Sequence, residues 1–553
     1  MDKQTTYKAS ERGVAMIFAL LSILVLSVLA IGIMTTSQAQ NWTAFNYRLT
    51  SQARYAAETG VQETMNWLSN NYTIPTVFTP YTMTTNPVQC ASGCTVGSAV
   101  VLSAVSGVSS NYPTAAVATA YNTALSGKSV PGMTYATYST YAKLLRMTPA
   151  SGVSWLSGGG GGVVQTWQIT SVGSITGARS ASVQVVETFE RASTPIFQYG
   201  LEATGNGCGA VTFEGNDYTD SYNSANGVYS VANSFTSGGN IATNGNVNLG
   251  GTGGSAAKIN GTVAAVNTTV GACPGAGVTD ASAGNYGTLS AVNPALNPAL
   301  PWGCMSTPCN PPGTLVTTSQ NVSTGCASIT GCTKNTPATI SIYDGGSSKT
   351  VNAFTLAPGS YGNVTINAAD VVHVSAGTYN INSINFAQDG QFVVDSGPVV
   401  FNLVGNCASG CPTESGLPAD MTSTEVIYGA GYAGFNGCAP SGGTGVVANP
   451  NVYGSTTCGA SQTAYSGIPS NMQIVYSGTY TIRLGGMPNA AVIYAPNAGY
   501  YTPGAPVGLY GSSVVKNFDD ASGSPFHYDS SLLNSVVQVG QFRPVGGFSW
   551  SKF

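Results

Sequence analysis

The sequence predicts an α+β N-terminal region, one long transmembrane helix with a small antiparallel sheet, followed by a large all-β domain of solenoid-like character. Three observations carry this prediction. Residues 14–34 are almost wholly apolar, and no charged side chain occurs across residues 13–47. Beyond residue 195, short alternating apolar pairs are separated by Gly, Asn, Asp and Ser turns. Charged residues are only 7% of the 553 while Gly numbers 70, a balance that suits many short strands joined by tight turns.

The 43% hydrophobic content supplies ample material to bury, so the composition is not that of a disordered chain, and the length calls for two or three domains. With a net charge of −4 and 17 basic residues, no basic stripe can neutralise a row of phosphates, and no nucleic-acid partner is predicted.

The N-terminus begins with the leader MDKQTTYKASERG (residues 1–13), whose Lys3, Lys8 and Arg12 mark the flank expected to stay cytoplasmic. The stretch VAMIFALLSILVLSVLAIGIM then spans residues 14–34, and about twenty apolar residues suffice to cross a bilayer as a helix. No small-residue secretory cleavage site follows it. Instead Ala53, Ala56, Ala57, Gly60, Val61, Thr64, Met65 and Leu68 recur at helical spacing, so one helix is expected to run over 14–71. A single-pass anchor with the bulk of the chain extracytoplasmic is the expectation.

Arg12-Gly13-Val14-Ala15-Met16, the apolar run and Ala56-Ala57-Glu58-Thr59-Gly60 together resemble the N-terminal region of PilX-type type IV pilus assembly proteins, over about residues 10–70. These are minor pilins, similar also to the tip subunit of type II secretion pseudopili. The resemblance implies a prepilin peptidase that cuts after Gly13 and frees Val14, and major and minor pilins as partners. It implies an inner-membrane precursor that moves to the pilus or cell surface on assembly. One departure is Phe18 at the fifth mature position, where major pilins carry Glu. Without that carboxylate the subunit cannot pair with a neighbour's terminal amine, although it buries no charge in the apolar filament core either. A low-copy place at a filament end fits this better than a repeating one. An ordinary signal anchor that never assembles is the plainer reading of the same helix.

Residues 72–195 read as a pilin-like head. Trp167 and Ile169 alternate with Thr166, Gln168 and Thr170, and Ala181, Val183 and Val185 alternate with Ser180, Ser182 and Gln184, which predicts an antiparallel pair across GSITGARS. The Gly run at 157–162 reads as a loop. A boundary falls at Ser193-Thr194-Pro195, and residues 196–553 form the β-rich passenger. Its clearest block, over 361–403, contains Val364/Ile366, Val372/Val374, Tyr379/Ile381, Ile384/Phe386, Phe392/Val394 and Phe401/Leu403. Such spacing argues for a solenoid or a sandwich, and inward pairs that can repeat rung upon rung favour the solenoid. Asp220-Ser221-Tyr222, Ala491-Val492-Ile493-Tyr494-Ala495-Pro496, Leu509-Tyr510-Gly511 and Phe526-His527-Tyr528-Asp529 resemble a domain found behind PilX-like anchors. That resemblance implies a β-solenoid surface module and brings no catalytic residues with it; the insertion at 301–332 departs from it.

Twelve cysteines come largely as close neighbours, Cys90/Cys94, Cys304/Cys309, Cys326/Cys332 and Cys407/Cys411, with Cys438/Cys458 and Cys208/Cys273 farther apart. Behind an export-like N-terminus this even count reads as disulfides, paired by proximity along the chain. Zinc is the rival, but the close intervals vary and neither His lies near a pair.

Catalytic motifs are sparse. His373 reads as an outward-facing strand residue. His527 has Asp529 two positions on, which could orient an imidazole, but nothing supplies a nucleophile and a hydrogen-bonded turn is the plainer reading. No G-x-S-x-G elbow occurs, and Gly127-Lys128-Ser129 lacks the earlier Gly of a phosphate loop. Glu214, Asp217 and Asp220, or Asp389 and Asp395, offer oxygen ligands for calcium, but the loop patterns that ion uses are absent. Asp519-Asp520 has no third acid beside it in sequence. Tyr500-Tyr501 and the tail residues Phe548, Trp550 and Phe553 are candidate platforms for a glycan or a partner surface.

The expectation is therefore a non-enzymatic, cofactor-free minor pilin, tip-located, that primes assembly, presents an adhesive domain, or both. A membrane-tethered extracytoplasmic polysaccharide hydrolase or lyase is the alternative, since glycan-cleaving β proteins work with clustered acids. A purely structural priming subunit is the third.

Overall fold

Ser10–Asn70 is one uninterrupted helix, about 90 Å long at the usual rise per residue. The computed structural model describes residues 10–552 except 74, 76, 150–154, 156–162, 178, 215–216, 228, 230–232, 251–256, 280–284, 293–294, 303–306, 312–315, 317, 345–346, 369, 388–389, 430–432, 436–467, 485–488, 504–508, 522 and 524. Two units are resolved. The first comprises Met1–Pro149, Gly162–Ala192 and Gly540–Phe553; the second comprises Ala150–Gly161 and Ser193–Val539.

In the first unit the helix changes character midway. Residues 13–48 are exposed throughout, whereas Leu49, Ala53, Ala56, Ala57, Val61, Thr64 and Leu68 are buried. The buried stripe is mostly small because the sheet beneath comes very close. A Cβ at Gly173 would strike the Ala53 carbonyl and the Ala57 amide, and one at Gly60 would strike the Ser171 hydroxyl. The sheet is antiparallel. It runs Val101–Ser103, Met133–Pro149, Val163–Ile175, Ala181–Pro195 and then the C-terminal strand Val537–Lys552. Leu144 sits opposite Trp167 and Trp167 opposite Phe189, and all three side chains are buried. A second helix, Ala115–Leu125, buries Tyr121 and Leu125. Several polar groups in this core pair with one another: Tyr121 and Thr64 both hydrogen-bond Thr140, and Gln165 links Trp167 to Tyr72.

The second unit is β throughout most of its described length, and it overturns the solenoid-like expectation. A solenoid hydrogen-bonds each rung to the next rung in sequence. Here one 19-stranded sheet, almost wholly parallel, joins the start of the unit to its end. Leu201–Ala203 pairs on one side with Ile241–Thr243 and on the other with residues 513–515 of Leu509–Asp520. Ile241–Thr243 pairs with Lys258–Ala265, which pairs with Tyr218–Tyr222, which pairs with Phe526–Asp529, which returns to Leu509–Asp520. That circuit is closed, barrel-like rather than an open stack. Alternating side chains fix which face of a strand is buried, but they leave open which strand lies beside it. A five-stranded sheet follows, its first pair Cys332–Asp344 and Ser347–Leu356 antiparallel and the remainder parallel. Phe386, Phe392, Phe401 and Phe435 pack edge-on or stacked in the core. Trp155 is buried in this unit, its indole N–H donating to Gln473 and its ring 4.7 Å from that of Tyr494.

Candidate functional site

Gly13, Val14 and Phe18 lie in the exposed half of the long helix, with nothing near Gly13 but its own helix. Among the described residues this is the one helix long and apolar enough to cross a membrane, and its apolar segment is not covered by protein. Where it meets the head, the Arg179 guanidinium lies 3.3 Å over the Trp42 ring.

Cys90 is joined to Cys94, Cys208 to Cys273, Cys326 to Cys332 and Cys407 to Cys411. Cys309 is also disulfide-bonded; Cys304, Cys438 and Cys458 lie outside the described residues.

Three of the quoted motifs meet on adjacent parallel strands. Asp220 is in register with His527, and His527 with Tyr510. His527 Nδ1 lies 2.6 Å from Asp220 Oδ1, and the Tyr229 hydroxyl donates to the other carboxylate oxygen at 2.6 Å. The imidazole lies between the Tyr510 and Tyr229 rings, with centroids 4.5 and 4.0 Å away. Asp529, the residue singled out in sequence, instead accepts hydrogen bonds from Ser224 and Ser531. His527 is 2% exposed, so the dyad is sealed from substrate and reads as a structural joint of the closed sheet. His373 is buried rather than solvated, its Nδ1 2.8 Å from Asp395 Oδ1.

The acidic residues regroup. Asp220 is engaged with His527, whereas Asp217 lies near Asp520 and Glu214. Burial first, then the charges of Asp520 and Glu214, push its carboxyl up to about 9. Asp519 is pushed up to about 7 by burial and by Glu214, Asp420 and Asp520. The sequence had offered no third acid for Asp519 and Asp520; folding brings Glu214, Asp217 and Asp420 to them from distant segments. Among the described residues no three His, Cys, Asp or Glu side chains are placed to hold a metal ion. Asp389 lies outside the described residues.

Asp519 also belongs to a longer feature. Tyr428 is in register with Arg483, Arg483 with Tyr501, Tyr501 with Asp519, Asp519 with Thr212, and Thr212 with Asn248. Paired residues of parallel strands project to one face at about 4.8 Å per strand, so these six make one row. All six are half-buried. The preceding residue on each strand points the other way: Ile427, Ile482, Tyr500, Phe518, Val211 and Val247 are at most 2% exposed. Tyr500 therefore fills the core and Tyr501 the outer face. Trp550 is exposed, while the side chains of Phe548 and Phe553 lie outside the description.

The segment from Cys407 to Thr424 walls this row. Its Glu414 lies 2.9 Å from Arg483, its Asp420 accepts from Asn517, and Thr481 donates to the Thr422 carbonyl at 2.8 Å. The Arg483 guanidinium lies 5.0 Å over the Tyr428 ring. Behind it Glu425 is fully buried, its carboxyl pushed up to about 7 by burial and by Glu414 despite the opposing pull of Arg483.

No protein-family model matches the chain, and no curated protein matches it. Among solved structures, the competence-associated pilin ComZ from Thermus thermophilus is similar over 91% of this chain and 98% of its own, at 12% identity and a TM-score of 0.23.

Proposed function

We propose that this chain is a minor pilin-like subunit of a type IV pilus system, of PilX type, held in the inner membrane by its N-terminal helix. On this reading prepilin peptidase cuts after Gly13, and the helix then leaves lipid to pack among other pilin helices. The β-rich second unit rides at or near the filament tip, where its bulk need not repeat along the shaft. Priming of assembly and contact with other surfaces are its purposes. The observation that carries the reading is the division of one helix into two halves. Residues 13–48 are bare and apolar over 14–34, while 49–68 are fitted to an antiparallel sheet through small side chains. A bare apolar half needs lipid or sister helices around it, because water is a poor solvent for it. N-terminal sequencing of the protein from sheared filaments tests this. Val14 as first residue is expected; a retained leader, with no protein in the filament fraction, removes the pilus assignment.

A second reading, a membrane-tethered polysaccharide hydrolase or lyase, draws on the carboxyl of Asp519. A group raised to about 7 beside other carboxylates has the proton affinity of a general acid. Release of reducing ends from polysaccharides by the full chain separates the two.

A further inference from the structure

The row from Tyr428 to Asn248 lies outside the packed core, although Arg483 pairs with Glu414, the Thr212 hydroxyl donates to the Gly209 carbonyl and Asn248 accepts from the Gly250 amide. Its composition is unusual for a solvated face. In order across six parallel strands it presents an aromatic ring, a guanidinium, a second ring, a carboxyl, a hydroxyl and an amide. The two rings stand two strands apart, about 10 Å at ordinary strand spacing. The polar groups between and beyond them include donors only, acceptors and mixed groups. The bordering segment is closed on itself by the Cys407–Cys411 disulfide and is tied to the strands by Glu414, Asp420 and Thr422. The row is therefore an outward sheet face bordered on one side by a segment that the sheet holds in place.

We propose that this face binds an extended, uncharged polysaccharide, its sugar rings stacking on Tyr428 and Tyr501 and its hydroxyls meeting Arg483, Asp519, Thr212 and Asn248. The inference rests on the adhesive reading above and names its ligand class. Sugars present apolar C–H faces that suit tyrosine rings and hydroxyls that both donate and accept. The charge pattern selects against acidic ligands. Glu414 already engages Arg483, and Asp519 sits among Glu214, Asp420 and Asp520. A nucleic acid or a polyuronate would bring its own negative charges to these carboxylates.

The test is titration of the full chain in detergent micelles with hexamers of glucose, of mannose and of N-acetylglucosamine, beside hexagalacturonate and single-stranded DNA as acidic probes. At least one uncharged hexamer should bind. Tyr428→Ala and Tyr501→Ala should each weaken it by about tenfold, the loss expected when a ring no longer covers apolar ligand surface. Tyr501→Phe keeps the ring and should bind more tightly than Tyr501→Ala, and unchanged thermal melting of both alanine variants controls for folding. The proposal fails if no uncharged hexamer binds, if both alanine variants bind as the parent does, or if an acidic probe binds more tightly. Cell attachment by the Tyr428→Ala/Tyr501→Ala protein distinguishes the two levels. Attachment that survives these changes, yet is lost when the second unit is removed, overturns the binding face and leaves the adhesive reading standing.

Discussion

Asp217 is 2% exposed and has carboxylates for neighbours. Its proton is held more tightly in the folded chain than in the unfolded one, where its ordinary value is 3.8. A raised folded value means that the native state binds the proton in excess. Stability from this group is therefore fully present at low pH and is lost as pH rises from about 4 toward about 9. Asp519, Glu202 and Glu425 are each raised to about 7 and act in the same direction. The denaturation midpoint of the second unit should fall between about pH 5 and about pH 8, and Asp217→Asn should flatten that fall while raising the midpoint at the alkaline end. Urea titrations at the two pH values measure this; parallel pH dependences for parent and variant would count against it. The sequence grouped Glu214 and Asp217 with Asp220 and left the Asp519-Asp520 pair without a third acid. Their mutual proximity follows from strand register, which no local pattern reports.

Gly173 shows the same limit for elements. Its strand was legible, because Trp167 and Ile169 alternate with polar neighbours and the structure buries both. The helical stripe was legible too, since Ala53, Ala56, Ala57, Val61 and Leu68 lie on one face and are all buried. That the two elements meet backbone to backbone at Gly173 was not, as glycine in a strand has many uses. Substitution there is informative. Gly173→Val would place atoms onto the Ala53 carbonyl and Ala57 amide, which cannot move without unwinding the helix. Overpacking of this kind costs about 1–3 kcal/mol, and backbone contacts put it at the upper end. Gly32→Ala meets nothing within 4 Å and is the control. Thermal denaturation of the first unit should drop for the first and stay unchanged for the second; equal melting would mean that the helix does not sit on Gly173. In the second unit, Val364, Ile366, Tyr379, Ile381, Phe392 and Phe401 were legible as inward residues and are buried. The partner strands were not, since Leu201 meets Ser513 across more of the chain than any turn can specify.

At the scale of the whole chain, the order of the units along the sequence decides what can be removed. The chain leaves the first unit after Ala192 and re-enters it at Gly540. Those two points are neighbours: Arg191 Nε donates to the Gly540 carbonyl at 3.1 Å, and a side chain built at Gly540 would approach the Ala192 carbonyl. Adjacent exit and entry points are the mark of an inserted domain, which can be excised without stretching its host. Simple truncation would instead strip the C-terminal strand from the head sheet and expose an unpaired edge. Residues 193–539 should therefore be replaceable by a short Gly/Ser linker, provided Trp155, whose burial comes from Gln473 and Tyr494, is changed to Ser. The shortened chain should keep the antiparallel sheet, its Cys90–Cys94 disulfide and its incorporation into filaments, because the helix and its docking surface are intact. Cells carrying it should be piliated and unable to attach. Filament counts by electron microscopy and adhesion counts on the same cultures read the two outcomes separately. Normal adhesion would remove the adhesive role from the second unit, and bald cells would make that unit a part of assembly instead.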